Sequence, residues 1–170
     1  MNKALPSAIV LIAAFLLQVA IAPQMAIGAA VPNLILLAVV SIALTNGASA
    51  GSTAGFLGGL AFDLIGSAPI GPAALVMAVV GYIAGSLHSN MFAEGWRLPV
   101  TVVALASLFA EFSYAVVLAV VGAGAPLGSA FVHIMLPTAV YNVVLVLLVY
   151  PLMARFLRRE QQMTTFRRLA

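Results

Sequence analysis

The sequence predicts an all-α, polytopic membrane fold of six transmembrane helices, and three observations carry that reading. The chain is 64% apolar and only 6% charged, whereas a soluble domain carries about 25% charged residues. It therefore has too few charges to keep a globular surface in water. Its 170 residues hold a series of apolar runs, and six spans of about 20 residues would use about 120 and leave short connections. Finally, all seven cationic side chains (Lys3, Arg97, Arg155, Arg158, Arg159, Arg167 and Arg168) fall on one side of a six-span arrangement. By the positive-inside bias, that side is cytoplasmic and holds both termini. An odd number of spans would separate Lys3 from the tail.

The whole chain, residues 1–170, reads as a single transmembrane domain. The first span covers about 8–27. Ala20, Ile21 and Ala22 resemble a small-x-small cleavage site, but Pro23 disfavours cleavage, so the run is read as a retained span. The second span, 33–46, starts at a potential capping residue, Asn33. It is short, and calls for extension by its flanks or a path through a thinner part of the bundle.

The third span, 48–65, belongs to the stretch around which the chain is organised. Residues 47–85 hold most of the glycines and the only aspartate. Gly47, Gly51, Gly55, Gly59 and Asp63 recur at steps of four, which on an α-helix draws a slowly winding ridge. Glycine is a poor helix former in water, but in lipid it lets another helix backbone approach closely. The ridge is therefore read as a helix-packing or partner interface. The fourth span, 73–88, repeats the spacing in Gly81 and Gly85.

The connection that follows carries Glu94, Trp96 and Arg97, a composition suited to a membrane interface. The fifth span, 99–121, has Glu111 near its middle. The sixth, 129–153, contains Pro137, which is expected to kink it. Residues 154–170 form a basic cytoplasmic tail that fixes topology and can meet anionic lipid headgroups or a cytoplasmic protein.

Asp63 and Glu111 are the intramembrane acids. A charge at mid-bilayer costs about 2.5–3.5 kcal/mol on insertion scales, so each must face the bundle interior and find a partner. A proton or ion relay is one reading. A helix-joining hydrogen bond or a partner contact is the other, favoured because no intramembrane Lys, Arg or His offers a relay partner. Tyr82, Tyr114, Tyr141 and Asn142 are polar groups in apolar runs, with interhelical hydrogen bonding as their expected role.

His88 and His133 fall on opposite sides in this topology and cannot share a metal. The chain has no cysteine, which excludes disulfides, thiol catalysis and Cys-ligated metals. No hydrolase triad, phosphate loop or helical His pair is visible. The expectation is no catalytic residue, no cofactor and no metal, and nucleic acid is not an expected partner.

One block resembles a known family. The run Gly55-Phe56-x-x-Gly59-Leu60-x-x-Asp63-Leu64, then Gly71, Ala74-Leu75 and Gly81-Tyr82-x-x-Gly85, is similar to the signature of the bacterial rod shape-determining MreD proteins. Pro32-Asn33-Leu34 resembles that family's opening of span two, with Asn33 in place of the usual acid. Tyr141-Asn142, Tyr150-Pro151-Leu152 and the basic tail resemble its last span. The resemblance covers about Val31 to Leu157.

It implies a non-enzymatic inner-membrane component of the cell-elongation machinery. Its implied partners are an MreC-like bitopic scaffold and, through it, MreB filaments, RodA and a class B penicillin-binding protein. It also implies a fold similar to the substrate-binding subunits of energy-coupling-factor transporters. That likeness supplies the alternative of a vitamin or small-molecule transport subunit, for which Asp63, His133 and the outer turns are the available polar groups.

Overall fold

The computed structural model describes residues 4–28, 30–66, 69–88, 97–120 and 135–169. Lys3, Glu94, Trp96 and His133 lie outside the described residues, as do the side chains of Arg158, Arg159, Arg167 and Arg168. Among the described residues the fold is all-helical, with six α-helices and no strand. They are α1 (Ala4–Ala20), α2 (Leu34–Asn46), α3 (Ala48–Ile65), α4 (Pro72–Ser86), α5 (Arg97–Val120) and α6 (Leu136–Leu169). Two stretches are long and apolar enough to cross a membrane, Arg97–Val117 and Leu136–Leu157.

The helices differ from the expected spans where proline acts. α1 starts earlier and stops at Ala20, and a short 3-10 turn over Ala22–Met25 accommodates Pro23. A residue before proline is pushed out of the α region, which ends the helix there. Pro72 is the first residue of α4, where the missing N–H has no intrahelical partner to lose. Pro137 is the second residue of α6 and follows the π-helical Met135, and the residues before Met135, on which a kink there depends, lie outside the described residues. Pro151 is the interior proline of α6, and it removes the N–H that would bond the carbonyl of Leu147. α6 then continues through the basic tail. At 34 residues it is about 51 Å long, longer than the roughly 30 Å hydrocarbon core.

α2 is the axis of the bundle. Every residue from Leu34 to Thr45 is buried, and α1, α3, α4, α5 and α6 all pack against it. This explains the shortness noted in the sequence. A helix of 13 residues spans only about 20 Å, and neighbouring helices rather than lipid surround it. Lipid-facing character is found instead on the outer faces. Leu5, Ile12 and Leu16 of α1, Phe112 of α5, and Val144, Leu148 and Leu152 of α6 are all exposed.

α3 and α4 form the most intimate pair, joined antiparallel through glycine. A Cβ placed on Gly51 would collide with the carbonyl of Gly81, one on Gly55 with Met77, and one on Gly59 with Ala73. The reciprocal holds for Gly81 against Gly51, and a Cβ on Gly85 would lie 2.5 Å from Ala48 Cα. The two backbones are therefore in direct contact, which only glycine at these positions allows.

Two corrections follow. The ridge is not a free surface for a partner helix, because α4 of the same chain already occupies it. The second concerns Gly47, which takes part by its backbone alone: its carbonyl carbon lies 2.6 Å from a Cβ placed on Gly85, whereas a Cβ on Gly47 itself would meet nothing within 4 Å. What requires glycine there is the α2–α3 turn at φ 95°, a conformation that favours glycine.

Gly55→Leu and Gly59→Leu are therefore expected to lower stability by at least about 3 kcal/mol, the upper end for overpacking, because the colliding atoms are backbone. Phe56→Leu, on the exposed side of α3, is expected to be close to neutral. Thermal unfolding of the three proteins in mild detergent checks this.

Candidate functional site

The polar groups of the bundle gather at one end, where α1 and α3 finish and α2 and α4 begin. Each helix start leaves backbone N–H groups without intrahelical acceptors. In an apolar bundle those donors need side chains, and the sequence supplies them from other helices.

At the start of α2, Gln18 of α1 closes a two-way clamp. Its Nε2 donates to the Pro32 carbonyl at 3.1 Å, and its Oε1 accepts from the Leu34 N–H at 2.6 Å. Asn33 caps its own helix, with Oδ1 accepting from the Leu36 N–H at 2.9 Å. The Asn33 N–H donates in turn to Oδ1 of Asn142 on α6, at 2.9 Å. Asn142 Nδ2 then donates to Ser107 Oγ on α5 at 3.0 Å. Four helices are thus joined at one point, and Asn142 and Ser107 are fully buried. Beside this network, Tyr141 donates its hydroxyl proton to the Met25 carbonyl at 2.9 Å.

At the start of α4 the cap comes from Asp63. Its Oδ2 accepts from the N–H groups of Gly71 at 2.9 Å, Ala73 at 3.0 Å and Ala74 at 3.2 Å. Oδ1 lies 3.3 Å from the Ala73 nitrogen. Asp63 is 2% exposed, so these donors and the positive end of the helix dipole replace water around it. Pro72 contributes no N–H, and Gly71 reaches the carboxylate through a turn at φ 119° that disfavours other residues. The opposite end of α2 is closed by His88, whose Nδ1 donates to the Leu44 carbonyl at 2.5 Å.

Beside these caps lies a cavity of about 460 Å³. Its wall is mainly apolar and includes Phe62, Val76 and Met77. Its polar residues are Gln18, Asn33, Glu111 and Tyr114. The sequence reading placed the polar groups of any such site on Asp63, His133 and the outer turns. His133 lies outside the described residues, and the Asp63 carboxylate is engaged by α4. Gln18 and Ser107 were missed, although each is a polar residue in an apolar run, the same signal that singled out Asn142.

The remaining singled-out residues separate clearly. Tyr82 is 60% exposed and joins no helices among the described residues. Glu111 and Tyr114 line the cavity without a hydrogen bond to any described residue. Arg155 is exposed on α6. Among the described residues no group of His, Cys, Asp or Glu could hold a metal ion.

Asp63→Asn retains one oxygen for the α4 amides, whereas Asp63→Leu leaves them buried without an acceptor. We expect Leu to destabilise by about 2 kcal/mol more than Asn, read as the difference in thermal midpoint between the two variants. Gln18→Leu is expected to lower the midpoint more than Gln24→Leu. Gln18 is 8% exposed and bonds across to α2, whereas Gln24 bonds only to Ala20 in an exposed turn.

The model of the family described as rod shape-determining protein MreD matches residues 2–160 of the chain. No curated protein matches, and no solved structure does.

Proposed function

The chain belongs to the MreD family of rod shape-determining membrane proteins, and from that membership we propose that it is a non-enzymatic, multi-pass component of the elongation complex. In this reading it crosses the cytoplasmic membrane six times with both termini inside. It binds an MreC-like bitopic scaffold in the plane of the membrane. Through that scaffold it helps organise lateral peptidoglycan synthesis with MreB filaments, RodA and a class B penicillin-binding protein. The helical order, the packing of five helices around α2 and the grouping of the cations in the sequence support the six-span arrangement. So does the antiparallel sequence of packed neighbours.

The observation that carries the interaction reading is the destination of the apolar surface. The glycine ridge is consumed between α3 and α4, while large side chains remain exposed on the outer faces of α1, α3, α4, α5 and α6. A single-helix partner would meet these outer faces. The polar caps serve the bundle itself, and they would hold the outer faces in a fixed arrangement for the scaffold.

A second reading, a small-molecule transport subunit resembling those of energy-coupling-factor systems, draws on the cavity. Recovery of a stoichiometric vitamin or of transporter ATPase subunits with the purified protein would favour it over the first.

Photo-crosslinking from the membrane faces tests the first reading. A photoreactive residue at Leu16, Phe112 or Leu148 is expected to capture the scaffold from at least one face in intact cells. The same residue at Gly55 is expected to yield no folded protein. Failure of all three faces to capture the scaffold would contradict the proposal.

A further inference from the structure

We propose that the cavity walled by α1 to α5 binds an ammonium group carried on an apolar body. The inference rests on the cavity's own chemistry and not on the assignment to the elongation complex. At about 460 Å³ it falls within the range of small-molecule sites, about 300–1,000 Å³. Most of its wall is apolar, which suits an alkyl or lipid-like body rather than a sugar or a nucleotide.

Its polar groups divide into those already engaged and those that are not. Both polar atoms of Gln18 hold the start of α2, and the Asn33 side-chain oxygen caps the same helix. Glu111 and Tyr114 have no hydrogen bond to any described residue. No Lys, Arg or His is among the described lining residues. A carboxyl group in an apolar wall is unfavourable until a cation or a donor meets it, and none of the described lining residues is a cation.

A ligand carrying N⁺–H donors supplies what Glu111 lacks. An anionic ligand would place a second negative charge beside it. The rings of Phe62 and Tyr114, which also line the cavity, can add cation–π attraction. Two sources carry this chemistry: the ethanolamine headgroup of a phospholipid, or a free aliphatic amine.

The test uses the full chain in neutral detergent, with octylammonium as the probe and octanol and octanoate as matched controls. Calorimetric titration is expected to give saturable binding of octylammonium to wild type. Octanol and octanoate are expected to bind at least about tenfold more weakly, and Glu111→Gln to reduce octylammonium affinity by a similar factor. Equal binding of octanoate and octylammonium overturns the proposal, as does unchanged affinity in a folded Glu111→Gln protein. Should that variant not fold, the contrast among the three probes on wild type decides alone. Nanodiscs then identify the source. Loss of octylammonium binding in phosphatidylethanolamine discs, but not in phosphatidylglycerol discs, assigns the site to the lipid headgroup. Retention in both assigns it to a free amine.

Discussion

The structure depends on one constraint: a helix that begins inside an apolar bundle must find acceptors for its first N–H groups. Water is not there to provide them, and an unsatisfied amide in such surroundings is costly. α2 and α4 are the short helices, at 13 and 15 residues, and both begin at the same end of the molecule. Each is started by side chains from elsewhere in the chain. Gln18 and Asn142 serve α2, and Asp63 serves α4. Because each acceptor lies on a different helix, capping and tertiary assembly are the same event. The order of the helices around α2 is fixed where its own start is satisfied.

The glycine contact between α3 and α4 is the apolar counterpart of this device. Asp63 sits one step beyond Gly59, so the carboxylate meets the start of α4 only if the two backbones are in contact along Gly51, Gly55 and Gly59. Any side chain larger than glycine there would lift α4 away and withdraw its amides from Asp63. Close approach and capping are thus coupled over about three turns of one helix pair. α5 packs on α2, α4 and α6, and both α3 and α5 contribute to the wall of the cavity. Glu111 and Tyr114, which take no part in capping, are the polar groups that this cavity leaves available.

Much of the architecture was legible in the sequence, because hydropathy, sparse charge and proline spacing act locally. As a helix, α3 covers the same residues as the stretch expected to span, 48–65, because Gly47 and Gly66 delimit a run free of proline and cations. Asn33 announced the start of α2 by residue type. What the sequence could not reveal was the identity of partners. Steps of four show that a backbone comes close, but not whether it belongs to the same chain. Gln18 and Ser107 looked like isolated polar residues because their partners lie 16 and 35 positions away.

Hydrogen exchange over residues 70–76 tests the coupling of Asp63 to α4 most directly. Mass spectrometry would compare wild type, Asp63→Asn and Asp63→Leu in detergent micelles, alongside a peptide from the middle of α2 as the internal reference. The account predicts protected amides at Gly71, Ala73 and Ala74 in wild type and partial protection with Asn. With Leu it predicts rapid exchange, while α2 remains protected. Equal protection of this segment in all three proteins would contradict the claim that the carboxylate of α3 holds the start of α4.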